Sequence, residues 1–326
     1  MKKILILFGG NSHEHTISCK SAKTIIENID KSKFNITSVG IYKNEWYIFN
    51  DNLNLLVENK WIKGNITKID NIINFIKQFD KIFPIIHGND GENGALSGLF
   101  NLFNIPYVGS NIKGHATGYD KEITKIICAY HFIPQVPSIT LYKHEKLKKI
   151  NIEFPAIVKP SSCGSSIGIN IANNIKELNK HIKTAFKYDN KIIIEKFIKA
   201  KELECAILEN NNKLYISTVG EIKPKNKFYD YESKYILDSN IIIPTNLDTE
   251  IIKQIQKYSE KIFKILSLKD FSRIDFLYDY ENNQIYFNEV NTIPGFTDIS
   301  MYPQLFNYEG ISIKKLLTIL LNNPIC

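Results

Sequence analysis

Apolar and polar positions along this chain follow two periods, near two and near three and a half, and their order defines the elements to expect. The apolar run KILILF (residues 3–8) stops at Gly9-Gly10 and reads as a buried strand entering a turn. A helix is expected over 18–28, a strand at FNITSVGIY (34–42), and another at KIFPIIHG (81–88) after an intervening segment. Strand and helix alternating this way imply a parallel sheet with helices on its faces. Ligands then gather at the carboxyl ends of the strands, where Gly9-Gly10 and His87-Gly88 both fall.

Past residue 120 the pattern changes. A helix is expected near 120–131, then PQVPSITLYK, a Pro-punctuated linker or strand. FPAIVKPSSCGSSIGINIA reads as strand, Gly/Ser turn and strand, followed by a helix near 174–186, the strand KIIIEKFI, and KELECAILEN opening another sheet. The segment 223–239 is polar and aromatic without periodicity, which predicts a surface loop of functional use. GISIKKLLTILLNN predicts an amphipathic closing helix.

Composition narrows the class. A chain of 326 residues favours two or three compact units sharing a cleft. The formal charge of +7 is spread among Asn and Ile without an arginine cluster or basic run, which argues against nucleic acid. MKKILILFGG has the lysines of a signal peptide, but its apolar run is too short and no small-residue cleavage site follows. No stretch is long enough for a membrane span. The five cysteines are odd in number and lack paired metal spacing, so reduced thiols in the cytoplasm are expected.

The densest chemistry lies in FSRIDFLYD and IYFNEVNTIPGFTDIS (285–300). Alternation sends Glu289 and Asn291 to one face of a strand, and Arg273 and Asp275 to one face of its neighbour. Asp275, Glu289 and Asn291 would then offer oxygens to a hard cation such as Mg²⁺, which commonly takes one or two carboxylates and completes its shell with phosphates and water. Gly164, Ser165, Ser166 and Gly168 form a turn whose backbone N–H groups could approach an anion, with Lys159 beside it; alone, it could equally be a plain hairpin. It is not a Walker loop, because the lysine precedes the turn and no helix follows directly. Glu195-Lys196 and Glu202, at a strand end, suit an adenine edge and a ribose, or are ordinary solvated charges. His13, Glu14 and His15 lack the one-turn histidine separation of a helical zinc site, and Glu14 could equally be a helix-start acid.

Taken in order, the blocks GGNSHEHTIS, HGNDGENG, VKPSSCGSSIG, IEKFI, FYDYESKY, SRIDF and NEVNTIPGFTDIS resemble the D-alanine–D-alanine ligases of the ATP-grasp superfamily over essentially the whole chain. The resemblance implies an α/β protein: an N-terminal Rossmann-like parallel-sheet domain (1–111), a small central α+β ATP-grasp subdomain (112–200) and a larger C-terminal α+β subdomain (201–326). It implies ligation of two D-alanines through an acyl phosphate, for peptidoglycan, with ATP and two Mg²⁺ (or Mn²⁺), in a cytoplasmic homodimer. Asp275, Glu289 and Asn291 would hold the metals. Lys121, Lys159 and Lys234 would neutralise phosphates, with Ser165 and Ser166 in the covering flap. Glu195, Lys196, Phe197, Ile198 and Glu202 would hold adenosine. Glu14 and His87 would serve the first D-alanine, Arg273 and the Gly295 N–H the oxyanion, and Ser300 the second D-alanine. Tyr235 would close a triad with Ser165 and Glu14. Cys163 is expected to be a spectator. Thr16, Asn93 and Asp270 depart from the family pattern, which touches only the surroundings of the first D-alanine. Other ATP-grasp carboxylate–amine ligases would share the metal strands and flap, but the N-terminal block and the Tyr235 loop favour D-alanine. A non-catalytic nucleotide module would not need Lys159, Arg273, Glu289 and Asn291 together.

Overall fold

The computed structural model describes residues 1–145, 153–223 and 240–324. The first sheet contains β1 (Lys2–Gly9), β2 (Phe34–Tyr42), β3 (Glu45–Phe49), β4 (Ile66–Lys68) and β5 (Lys81–Pro84), in the order β4-β3-β2-β1-β5. β1 lies parallel to β2 and β5, and its residues from Ile4 to Gly9 are all buried, which is why it reads as one apolar run. The intervening segment turns out to add two antiparallel strands. Lys43 and Asn44 both take positive φ (51° and 65°), so the chain reverses in two residues and β3 pairs back on β2. The helix His15–Asn28 starts three residues ahead of the expected 18, bringing Glu14 to its N-cap.

The second sheet is antiparallel, ordered β6-β9-β7-β8 from β6 (Ser138–Tyr142), β7 (Ala156–Pro160), β8 (Asn170–Ala172) and β9 (Lys191–Lys196). PQVPSITLYK is therefore part strand. The helix Ile175–Ala185, capped by the Asn174 side chain accepting from the Glu177 N–H, covers this sheet with Leu178 and Ile182 and closes a small separate core around Val158 and Ile194.

The third sheet is ordered β12-β11-β10-β13-β14, from β10 (Lys201–Asn210), β11 (Lys213–Lys223), β12 (Asn240–Ile242), β13 (Phe271–Asp279) and β14 (Gln284–Asn291). One face is covered by the helix Thr249–Ile265, which buries Ile255, Ile262 and Phe263. The closing helix Ile313–Asn322 buries Leu316, Leu317, Leu320 and Leu321 in a core shared by the first and third sheets. At the centre of that core Phe83 of the first sheet meets Phe271 and Phe296 edge-on, each at 5.9 Å between centroids, and Tyr302 packs on both of the latter. Such aromatic pairs add about 0.5–1.5 kcal/mol each beyond area burial.

Candidate active site

The geometry begins on β13 and β14. These strands pair with Arg273 opposite Asn291 and Asp275 opposite Glu289, then slip so that Phe276 faces Phe287. Asn288 is therefore an extra residue in the ladder. The strand's burial follows suit: Ile285, Phe287 and Val290 are buried, while Asn288 and Glu289 in succession are not. Strict alternation would have turned Asn288 into the core; the bulge lets two consecutive polar residues face the cleft.

Arg273 donates to both oxygens of Asp275 (2.8 Å each), which fixes the guanidinium plane, and Glu204 on β10 adds a second carboxylate charge 2.8 Å from its Nε. Asn291 donates to Asp275 at 2.9 Å, and Lys121 lies 3.4 Å from Glu289. Asp275, Glu289 and Asn291 are an all-oxygen donor set and fit a hard divalent cation. Among the described residues no three or more His, Cys, Asp or Glu side chains form a metal cage. The set suits a cation whose shell is completed by phosphate oxygens, rather than a closed protein site.

One cleft gathers residues from all three sheets: Glu14, His87, Lys121, Ser165, Arg273, Glu289, Asn291, Gly295 and Ser300 all line it. The turn after β7 reaches across to the N-terminal domain, where the Ser165 hydroxyl donates to the Glu14 carboxylate. Ser165 and Ser166 both hold positive φ (53° and 57°), and a Cβ on Gly164 would stand 2.6 Å from Glu14 Oε2. Only glycine allows that close approach. Lys121 donates to the Cys163 carbonyl at 2.8 Å, tying down the other arm of the turn.

His87 is buried and makes two contacts, Nδ1 to the Ile293 carbonyl (2.8 Å) and Nε2 to the Ser21 hydroxyl (3.2 Å). A carbonyl only accepts, so Nδ1 carries the proton and Nε2 accepts. Burial holds the ring's pKa below its usual value despite the neighbouring Glu14 charge. Ser21 in turn accepts from the Phe296 N–H at 3.2 Å, so His87 braces both sides of the Pro294-Gly295 turn. Ser300 precedes the helix Met301–Tyr308 as its N-cap and accepts from the Thr297 N–H at 3.0 Å.

A second, more apolar slot opens beside the first and is lined by Lys159, Ser166, Glu195, Lys196, Phe197, Ile198 and Glu202, with Asn288 at its inner wall. Glu289 lines both spaces and marks their junction. Lys223, the first residue of the predicted loop, ends β11, and residues 224–239, Lys234 and Tyr235 among them, lie outside the described residues.

Several site residues escaped the sequence reading. Glu204 shares a strand face with Glu202 at i+2, and Lys125 follows Lys121 by one helical turn; both spacings were visible. Glu92 is a different case: it accepts from the Gly88 N–H (3.0 Å) and from the Thr292 N–H and hydroxyl (3.3 and 3.1 Å). Burial, with help from the Glu14 charge, pushes its pKa up to about 7. Nothing in HGNDGENG distinguished it from turn chemistry.

An apolar slot meeting a charged cleft at one carboxylate, beside a Gly/Ser turn between antiparallel strands, is the layout of the ATP-grasp class. The family model described as D-ala D-ala ligase N-terminus matches residues 3–110, and the one described as D-ala D-ala ligase C-terminus matches 129–322. The chain belongs to the D-alanine–D-alanine ligase family. It is 41% identical to the D-alanine–D-alanine ligase of Thermoanaerobacter sp. (strain X514), covering 98% of this chain and 96% of the relative. It is likewise 41% identical to that of Wigglesworthia glossinidia brevipalpis, over 97% and 96%. Among solved structures it is similar to the VanG D-Ala:D-Ser ligase of Enterococcus faecalis (TM-score 0.89, 35% identity, 98% of both chains). It is also similar to the D-alanine–D-alanine ligase of Coxiella burnetii (TM-score 0.87, 31% identity, 99% of this chain and 93% of that one).

Proposed function

We infer that the protein is an ATP-dependent ligase that joins two D-alanines into D-alanyl-D-alanine for peptidoglycan synthesis. The observation that carries this is Glu289, which stands in the wall of both the apolar slot and the polar cleft, so a phosphate donor in one and a carboxylate acceptor in the other would meet there. The γ-phosphoryl group of ATP passes to the carboxylate of the first D-alanine, giving an acyl phosphate and ADP. The amine of the second D-alanine, having lost a proton, attacks the acyl carbon, and phosphate leaves as the peptide bond forms.

In this reading Glu14 anchors the first ammonium, and Ser165, already bonded to it, fixes its direction. Tyr235 is the proposed third member. Arg273, gripped by Asp275 and Glu204, joins the Gly295 N–H in stabilising the tetrahedral oxyanion. His87 positions the Gly295 turn through Ile293 and Ser21, and Ser300, at a helix N-terminus, suits the carboxylate of the second D-alanine. Lys121, Lys159 and Lys234 neutralise phosphates. Ser166, Glu195, Lys196, Phe197, Ile198 and Glu202 hold the nucleotide. Asp275, Glu289 and Asn291 would hold two Mg²⁺ (or Mn²⁺), which supply charge neutralisation on the transferring phosphoryl group. We further propose the divisions 1–111, 112–200 and 201–326, a homodimer and a cytoplasmic setting. No described helix is long and apolar enough to cross a membrane.

The test is phosphate release from ATP with a panel of D- and L-amino acids. Release with D-alanine alone, with the dipeptide as product, supports the reading. Release only with another acceptor, D-serine included given the VanG-like fold, replaces the second substrate; no release with any of them sinks the ligase assignment.

A further inference from the structure

Behind the nucleotide slot lies a buried group of three charges. Lys125, on the helix Lys121–Tyr130, holds one oxygen of Glu195 at 2.6 Å, and Lys159 holds the other at 2.7 Å. Lys159 also donates to Asn288 at 3.1 Å. Lys159, Glu195 and Asn288 line the slot and Lys125 does not, although its side chain is only 9% exposed. Burial works to raise the Glu195 pKa, but Lys159 and Lys125 together outweigh it and hold the carboxyl below its ordinary value. The same burial pulls Lys125 down, against the pull of Glu195.

The count of charges matters more than any one contact. A lone Lys159–Glu195 pair would be neutral, and its field would cancel a short distance away. With Lys125 on the far oxygen, the group carries a net single positive charge facing the slot. In a buried setting one unit charge acts over several ångströms with little screening. We propose that Lys125 is a positioning residue that raises the charge of the nucleotide slot by one unit: by occupying half of Glu195 it leaves Lys159 able to attract polyphosphate. This rests on the nucleotide reading given above.

The experiment measures the affinities of ATP, ADP, AMP and adenosine for the full chain by calorimetry with Mg²⁺, comparing wild type, Lys125→Met and Lys125→Arg. Methionine matches the length of lysine without its charge. Lys125→Met should weaken ATP by about tenfold or more, ADP and AMP progressively less, and adenosine not at all. Lys125→Arg keeps the positive charge on the far oxygen of Glu195, so its ATP affinity should stay close to that of wild type. Equal loss for adenosine and ATP, or Lys125→Arg no better than Lys125→Met, overturns the proposal. Should Lys125→Met fail to fold, Lys125→Gln decides: a loss graded from ATP down to adenosine supports the charge count, and an equal loss or none refutes it. Wild type that binds no ATP would instead refute the nucleotide reading itself.

Discussion

The first and third sheets are joined very differently from the way the second sheet joins either of them. Between the first and third, the contact is a dry aromatic and aliphatic core that runs from Phe83 through Phe271, Phe296 and Tyr302 to the closing helix. The second sheet keeps its own small core and reaches its neighbours through polar groups: Ser165 to Glu14 and Lys159 to Asn288. Hydrophobic packing resists small displacements across its whole area, whereas a few hydrogen bonds can exchange for ligand contacts at little net cost. The candidate site lies along the polar seam. The seam lets substrates in, and the aromatic core holds the other walls still.

Truncating the core tests the first half of that contrast and should have the largest effect. Phe271→Ala removes a fully buried ring that three others pack against, and is expected to cost about 3–5 kcal/mol of stability, read as a lower urea midpoint. A midpoint close to wild type would mean that the aromatic core does not join the sheets. On the seam, Glu289→Gln should leave the thermal midpoint unchanged and lower kcat by about 10²-fold or more, since a charged group is lost where phosphate charge is densest. Normal Mg²⁺-dependent turnover in the folded variant would remove Glu289 from the metal set.

A smaller effect is expected at Ser165→Ala, which strips the donor from Glu14 at the flap. Leaving that partly desolvated acceptor unpaired should weaken the first D-alanine by about 1–3 kcal/mol, seen in KM. A change in ATP affinity with no change for D-alanine would place the flap on the wrong substrate. The most gradual effect concerns Glu92, whose pKa is raised from 4.5 to about 7 in the fold. Between those values the folded chain holds a proton that the unfolded chain has released, so its contribution to stability falls as pH rises, by up to ~1.4 kcal/mol per pH unit. Above about pH 7 the loss levels off. Glu92→Gln should flatten this part of the stability profile, and an unaltered slope would assign it to another group.

The elements with strong periodicity were legible, β1 and the closing helix above all, because burial on two faces or one stripe writes itself into residue type. The family blocks gave most of the candidate site in advance. What stayed hidden depended on partners far away in the sequence. The β3–β4 addition turns on Lys43-Asn44, which lacks the glycine that usually announces such a reversal. Glu92 owes its character to burial beside Glu14 and Thr292, and no local pattern encodes burial of that kind. The bulge at Asn288 was in fact visible, since the apolar positions Ile285, Phe287 and Val290 are spaced by two and then by three.

That bulge acts as a ruler. Cleft-facing residues on a regular strand recur every ~6.6 Å, whereas Asn288 and Glu289 are consecutive and so sit one backbone step apart, about 3.8 Å. The partner of Lys159 and the residue at the junction of the two spaces are thereby held at a distance fixed by covalent bonds, not by packing. Repacking the core can tilt or shift the strand, yet it moves both residues together. The alignment of nucleotide slot and polar cleft is thus protected from the slow drift of the surrounding side chains, and is exposed chiefly to insertions and deletions within β14 itself.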